Sequence, residues 1–125
     1  MTQQFVSGPS SLVCTETWHA TSVVISCSGV VDMLTAPHMG QLIATALDKR
    51  PSVVIIDLTE TTMFASCGMS LLVETKEELS EDASLIVVAD GPITRRPLEL
   101  VGLSAFLTLR STLAEALGEM SVVEG

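Results

Sequence analysis

The run Val53-Val54-Ile55-Ile56 constrains the fold more than any other stretch of this sequence. Four consecutive β-branched residues, with no alternation of polar and apolar positions, predict a strand that is buried on both faces. A second run, Leu85-Ile86-Val87-Val88-Ala89, has the same character. Such strands occur in parallel sheets that are covered by helices on both sides, so the two runs favour an α/β domain.

The segments around these runs predict the helices and the remaining strands. One helix is expected after Thr35, a candidate N-cap followed by Pro37, because apolar residues then recur with helical spacing. Further strands are predicted at 12–18, 22–28 and 106–109, and further helices at about 69–79, 94–102 and 112–117, the last opened by a capping box of Thr112 and Glu115. The predicted order is β-β-α-β-α-β-α-β-α, in which a mostly parallel mixed sheet is flanked by helices.

The length of the chain sets the number of domains. With 125 residues, it can form one hydrophobic core and is too short for two. Residues 1–10, which end in Ser7-Gly8-Pro9-Ser10, are predicted to form a flexible N-terminal arm. The folded domain is expected to span 11–118, and 119–125 are interpreted as a C-terminal tail.

Composition and charge exclude several classes of function. The net charge of −9 and the aromatic content of 3% disfavour binding to nucleic acid, which needs a basic surface and often stacking rings. No apolar run approaches the length of a membrane span, and the polar start is unlike a signal peptide, so a cytoplasmic protein without a membrane partner is expected. The three cysteines and two histidines have no metal-ligand spacing, and no phosphate-binding glycine motif is present, so neither a metal nor a cofactor is predicted.

Ser66, Cys67 and Gly68 lie where a polar bend gives way to a predicted helix. Because a helix N-terminus carries unpaired N–H groups and a partial positive charge, Ser66 can cap the helix, and the same place would accommodate a phosphate on this serine. The spacing of Ser66 and Gly68 also resembles a hydrolase nucleophile elbow. However, Phe64 replaces the first glycine of that motif and both histidines precede the serine, so we do not expect an enzyme.

The cysteines suggest two places for redox chemistry. Cys67, at the start of a predicted helix, is a candidate reactive thiolate, although a small residue in a tight turn is the commoner explanation. A four-residue hairpin loop at 19–22 would pair residue 18 with 23, and therefore Cys14 with Cys27. We expect these two thiols to be in contact without a disulfide bond, because disulfides are rare in the cytosol.

The residues that follow the predicted strands are candidates for turns and contacts. Asp57 is expected to accept hydrogen bonds from turn N–H groups, and Asp32 to be a solvated or turn-stabilising loop acid. Met33, Met63 and Met69 are expected near the strand ends, where parallel sheets usually bind partners and ligands. Exposed methionines would suit an adaptable protein contact, whereas core packing is the commoner role for each one alone.

Three segments of the sequence, taken in order, are similar to the motifs of a known protein family. They are 27–32 followed by Thr35-Ala36, the strand and turn Val53-Val54-Ile55-Ile56-Asp57-Leu58 with Phe64-Ala65-Ser66-Cys67-Gly68-Met69, and Val101-Gly102-Leu103. Together they resemble the anti-sigma factor antagonists, a bacterial family of STAS domains. The middle piece is similar to the family's Asp-Ser-Ser-Gly-Leu turn and is the most specific. The resemblance covers about residues 10–118 and implies a STAS-like single domain.

The resemblance also implies a mechanism of partner switching in transcription regulation, as in stress responses. In that family the serine at the position of Ser66 is phosphorylated by an anti-sigma factor that is also an ATP-dependent serine kinase, and a serine phosphatase reverses the reaction. The unmodified protein would bind the anti-sigma factor and so release a sigma factor. The implied contact residues are Asp32, Ser66, Cys67, Gly68 and Met69, and the implied state is a monomer or weak homodimer.

The sequence departs from the family motif at two positions. Ala65 stands where the family has an aspartate, and Cys67 where it has a second serine. These changes bear on the switch by phosphorylation more than on partner binding, and Cys67 admits a redox variant in which oxidation disturbs the same surface. The alternative hypothesis is a STAS sensing or scaffold module that responds to a small molecule, a nucleotide or redox state.

Overall fold

A computed structural model of the chain describes residues 2–7 and 11–124, with side chains described for 11–119. It contains seven strands, four α-helices and one turn of 3₁₀ helix. In chain order these are β1 (Thr2–Ser7), β2 (Leu12–His19), β3 (Ser22–Val31), α1 (Ala36–Leu47), β4 (Val53–Asp57), β5 (Thr61–Phe64), α2 (Ser66–Glu78), β6 (Ser84–Val88), α3 (Arg95–Leu100), the 3₁₀ turn (Leu103–Ala105), β7 (Thr108–Arg110) and α4 (Leu113–Glu124).

The strands form one mixed sheet in the order β1-β2-β3-β4-β6-β7, with β5 paired to the end of β3. The pairings β1-β2 and β2-β3 are antiparallel, and the other four are parallel. All five residues of β4 are buried, as the unbroken β-branched run predicts. The predicted α/β fold with a mostly parallel mixed sheet is confirmed.

Helices cover the sheet on both faces. The larger core lies on one face, where residues of α1, α2 and α3 pack against the sheet, among them Met39, Leu72 and Leu98. A smaller core lies on the other face, where Ala116 of α4 packs against β3, β4 and β6. The sheet is therefore the middle layer of a three-layer domain, and the chain crosses it so that the parallel strands end at one common edge, which we call the carboxyl edge.

Local sequence signals explain where the helices lie. The predicted apolar face of α1 is buried through Met39, Leu42, Ile43 and Ala46, and a proline occupies its first turn. The capping box of α4 is present, because Glu115 N donates to Thr112 Oγ1 at 3.2 Å and Thr112 N donates to Glu115 Oε1 at 3.1 Å. These two predictions are confirmed.

The structure differs from the sequence interpretation at both ends of the chain. Thr2–Ser7, predicted as part of a flexible arm, form β1 and pair with β2 over their whole length; residues 8–10 of that arm lie outside the described residues. The last helix continues to Glu124, into the segment predicted as a tail. β5 was not predicted, because it has only four residues and begins with two threonines in a polar bend.

One charged side chain lies inside the fold, held by partners near the opposite edge of the sheet, which we call the amino edge because β3 and β4 begin there. Glu16 of β2 is 2% exposed. Its Oε2 accepts a hydrogen bond from Trp18 Nε1 at 2.5 Å and lies 3.5 Å from Lys49 Nζ. The Lys49 ammonium also lies 5.5 Å from the centre of the Trp18 ring. The buried carboxylate is thus paired and hydrogen-bonded within the chain, as burial of a charge requires.

Candidate functional site

The candidate site is formed where β5 leads into α2 beside the end of β3. Val30 and Val31 of β3 pair with Met63 and Phe64 of β5, and Ala65 N donates to the Val31 carbonyl at 2.9 Å. Adjacent strands lie about 4.8 Å apart. This pairing therefore sets Ser66, which follows Ala65, beside the loop that Asp32 begins.

Gly29 allows β3 to change its partner. Residues 22–26 of β3 pair with β4, and residues 29–31 pair with β5. The register of the β3–β5 pairing shifts between Gly29 and Val30. The φ angle of Gly29 is 112°, and a Cβ at this position would lie 2.1 Å from the Ser11 carbonyl oxygen. Only glycine fits such a conformation and such a close approach. Gly29 is therefore part of the framework that positions Ser66.

Ser66 is the first residue of α2 and is exposed. The N-cap of this helix is Ala65, with φ −82° and ψ 169°, and no side chain caps it. The capping role that the sequence suggests for Ser66 is therefore wrong. β5 continues to Phe64 and leaves only Ala65 between strand and helix. Within residues 11–119, no hydrogen bond to the Ser66 hydroxyl is found, so it has neither a histidine base nor a capping partner there.

Gly68, near the start of α2, is buried and allows the helix to lie close to the strands. A Cβ on Gly68 would lie 2.6 Å from Phe64 Cε1 and 2.8 Å from Val31 Cγ1. Its neighbours Cys67 and Met69 are half-buried and pack against the larger core. Of the predicted contact residues on α2, Ser66 is thus the exposed one, whereas Gly68 supports the surface from below.

Asp32 shapes the loop between β3 and α1. Its Oδ1 accepts hydrogen bonds from Leu34 N at 2.9 Å and from Thr35 N at 3.1 Å. Thr35 occupies the predicted N-cap position without capping the helix; its hydroxyl donates to the Val30 carbonyl at 2.8 Å and accepts from Asp32 N at 3.0 Å. These bonds span the loop in both directions and hold Met33 and Leu34 at its tip.

Three apolar side chains are exposed in the two segments that lead to the candidate site, the loop after β3 and the strand β5. Met33 is 83% exposed, Leu34 69% and Met63 51%. We call these three residues the apolar patch. The sequence places the two methionines near the strand ends and favours core packing for each one alone; their exposure shows that this core role is wrong for Met33 and Met63. Leu34 was not singled out from the sequence. An apolar group of this kind, rimmed by polar residues, is typical of a protein contact.

Cys14 and Cys27 lie directly opposite each other on β2 and β3, as the hairpin register predicts. Their sulfur atoms are 4.0 Å apart, and both thiols are free and buried. The hydrogen bond to Cys14 and burial together raise the pKa of Cys27 well above its usual range. Both cysteines belong to the larger core, and among the described side chains no hydrogen bond joins either of them to Cys67.

Asp57 ends β4 and stabilises the bend before β5. Its Oδ1 accepts hydrogen bonds from Thr59 N at 3.0 Å and from the Thr59 hydroxyl at 2.8 Å. The predicted role of Asp57 in the turn is confirmed.

Metal sites and membrane spans are two further features that a chain of this kind could carry. Among the described residues, no group of three or more His, Cys, Asp or Glu side chains is placed to hold a metal ion. No described helix combines the length and the apolar character that crossing a membrane requires.

Comparison with known proteins identifies the family to which this chain belongs. The sequence matches the family model of the STAS domain over residues 14–116. It is 34% identical over 112 residues to the anti-sigma-F factor antagonist RsfB of Mycobacterium tuberculosis, which covers 90% of this chain and 92% of RsfB. The chain is therefore a STAS domain.

Solved structures agree with this assignment. An anti-sigma factor antagonist from Mycobacterium paratuberculosis superposes with a TM-score of 0.86 at 36% identity, covering 96% of this chain and 100% of that one. The unphosphorylated anti-sigma factor antagonist SpoIIAA has a TM-score of 0.71 at 20% identity, over 86% of this chain and 96% of SpoIIAA, which is a likeness of fold alone. The chain belongs to the STAS-domain family of anti-sigma factor antagonists.

Proposed function

We propose that this protein binds an anti-sigma factor through the apolar patch and Ser66, and that phosphorylation of Ser66 switches the binding off. The observation that carries the proposal is the position of Ser66, an exposed and uncapped serine at the first residue of α2, directly after the strand β5 that carries Met63 and pairs with the end of β3 before Met33 and Leu34. The class of partner follows from the relatives, which are named as anti-sigma factor antagonists. The protein acts as a regulatory binding partner rather than as an enzyme, and its binding releases a sigma factor.

The helix N-terminus favours a phosphate on Ser66 within the chain itself. The first N–H groups of α2 have no carbonyl one turn earlier in the helix, and the helix dipole is positive at this end. A phosphoserine brings a charge of about −1.5 to −2 at neutral pH. The modified protein therefore remains folded, and the effect of the phosphate falls on the contact with the partner.

At the contact surface the same phosphate opposes binding. A charged group between two apolar surfaces loses its water without gaining an opposite charge, which is costly. The chain already has a net charge of −9, so the added charge also strengthens its repulsion of acidic surfaces on a partner. An anti-sigma factor with serine kinase activity would add the phosphate from ATP, and a serine phosphatase would remove it.

Matched variants of two serines on α2 test this proposal. Ser66→Ala should bind the cognate anti-sigma factor about as well as the unmodified protein, and Ser66→Glu should bind at least about tenfold more weakly. Ser70, also exposed on α2 one turn further along, provides the control pair Ser70→Ala and Ser70→Glu. Affinity is measured by calorimetry, and circular dichroism checks that each variant is folded.

Incubation with the anti-sigma factor and ATP, followed by peptide mass spectrometry, locates the modification. Phosphate on Ser66 and not on Ser70 is expected. Binding without modification of Ser66 would refute the phosphorylation switch and leave the antagonism standing. Equal affinities of Ser66→Ala and Ser66→Glu would remove Ser66 from the contact surface.

A further inference from the structure

The sulfur-containing residues among the described side chains differ sharply in their exposure. Met33 is 83% exposed and Met63 51%, whereas Met39 in α1 is completely buried. Cys14 and Cys27 are 5% and 1% exposed, and Cys67 is half-buried against the core. The most exposed sulfur-containing residues among the described side chains are therefore two methionines, both in the apolar patch.

Thioethers and thiols react differently with peroxides. A thiol reacts as its thiolate and only where the oxidant can reach it, so burial in the core shields Cys14 and Cys27. A thioether needs no deprotonation and reacts when the oxidant reaches its sulfur. Hydrogen peroxide transfers one oxygen atom to the methionine sulfur: an S–O bond forms, the O–O bond breaks, the sulfur loses two electrons, and water leaves. Exposure, rather than acidity, thus decides which methionine is oxidised.

We propose that Met33 and Met63 are oxidised by peroxide to methionine sulfoxides, and that this modification weakens the contact with the anti-sigma factor. The proposal rests on the proposed function of the apolar patch. A sulfoxide is a polar hydrogen-bond acceptor in place of an apolar sulfur, and burying it without a partner opposes binding. The change requires no rearrangement of the fold, because neither side chain is part of a buried core.

The geometry makes the two methionines act on the same contact. Met63 pairs with Val30 on the neighbouring strand, and Met33 stands three residues after Val30 in the loop held by Asp32. Met63 also precedes Ser66 by three residues at the entrance to α2. Oxidation at either side chain therefore places a polar group at the surface that the phosphate would occupy, and it provides a second switch that needs no kinase.

The first arm of the experiment tests the modification itself. The purified protein is treated with a series of hydrogen peroxide concentrations, and the gain of one oxygen at each methionine is followed by peptide mass spectrometry. Among the methionines whose side chains the structure describes, Met33 should be oxidised fastest, Met63 next and Met39 last. Oxidation of Met39 or of the cysteines before Met33 and Met63 would overturn the proposal.

The second arm tests the consequence for binding. Peroxide is removed before the protein is mixed with the unoxidised anti-sigma factor, so only one partner is modified. The oxidised protein should bind about tenfold more weakly or worse, and a methionine sulfoxide reductase should restore its affinity. The double variant M33L/M63L, which keeps Met69 and all three cysteines, is compared with its own affinity before treatment, and peroxide should change that affinity by less than about twofold.

The outcomes separate this inference from the proposed function. Full oxidation of Met33 and Met63 with unchanged affinity would overturn the switch. Equal loss of binding in M33L/M63L after peroxide would also overturn it, because Cys67 or another group would then be responsible. If the untreated protein failed to bind the anti-sigma factor, the proposed function itself would fall. The switch would fall with it, whereas the order of oxidation would still decide whether Met33 and Met63 are the modified residues.

Discussion

The two edges of the sheet show opposite arrangements of polar and apolar side chains. At the amino edge, the carboxylate of Glu16 is buried, with its partners Trp18 and Lys49 inside the same chain. At the carboxyl edge, Met33 and Leu34 stand in solvent on a loop that hydrogen bonds to Asp32 hold in shape. One edge therefore buries a charged side chain, and the other exposes apolar side chains to water. Each placement has an unfavourable transfer free energy.

The difference lies in whether the chain itself compensates for the unfavourable placement. Glu16 receives an ion pair and a hydrogen bond from nearby residues, so its burial is satisfied within the domain. No described part of the chain covers the apolar patch. We infer that the amino edge serves the stability of the fold and that the carboxyl edge serves binding.

The largest effect should come from removing the apolar patch at the loop. The double variant Met33→Ala/Leu34→Ala should lose about 30-fold or more in affinity for the anti-sigma factor, as central interface residues do when truncated. Its free energy of unfolding should change by less than about 0.5 kcal/mol, because both side chains are exposed. Calorimetry and urea denaturation measure the two quantities.

Leu100→Ala/Val101→Ala provides the control for this variant. These two side chains are 69% and 61% exposed but lie at the end of α3 rather than after β3. A comparable loss of affinity in the control would show that the contact is not confined to the apolar patch. Unfolding of Met33→Ala/Leu34→Ala would contradict the division between the two edges.

A smaller effect, on stability, is expected at the glycine beneath Ser66. Gly68→Ala should lower the free energy of unfolding by about 1–3 kcal/mol, because the new methyl group would overlap Phe64 and Val31. Gly118→Ala is the matched control in α4, where the new methyl group would meet no described atom within 4 Å beyond the adjoining helix backbone, and alanine should stabilise the helix by up to about 1 kcal/mol. Changes of the same sign in both variants, measured by urea denaturation, would refute the close packing of Gly68.

The smallest effect concerns the ion pair at the amino edge. Lys49→Met keeps an apolar stem near Trp18 and removes the charge beside Glu16. Because the Lys49 side chain is 53% exposed, solvent screens the pair, and the expected loss of stability is about 1 kcal/mol. Glu99→Gln, which breaks the exposed pair with Arg95, should cost less than about 0.5 kcal/mol. A loss of anti-sigma binding in Lys49→Met would contradict the division of roles between the two edges, because the amino edge would then contribute to the contact.

Local patterns in the sequence were sufficient to predict several parts of the structure. The run at β4 predicted its burial on both faces, the hairpin loop predicted the pairing of Cys14 with Cys27, and Thr112 with Glu115 predicted the start of α4. In each case the signal lies within a few residues or follows from the register of one hairpin. Capping hydrogen bonds and strand register then leave few alternative conformations for these segments.

Local patterns were insufficient where a distant partner decided the structure. β5 exists because the end of β3 offers it a free edge, and its own residues carry no strong strand pattern. That strand then displaced the cap of α2 from Ser66 to Ala65. The ion pair of Glu16 was also missed, although Cys14, Glu16 and Trp18 alternate in phase along one face of β2 and so gave a signal.

The change of strand partner at Gly29 determines which part of the sheet can unfold locally. β4 lies between two strands, whereas β5 is hydrogen-bonded to β3 alone among the described strands. The hydrogen bonds of β5 can therefore break without separating β3 from β4, so this segment forms a unit of low local stability next to a rigid sheet. Backbone amides of β5 should then exchange with solvent faster than those of β4, and a bound partner should slow that exchange.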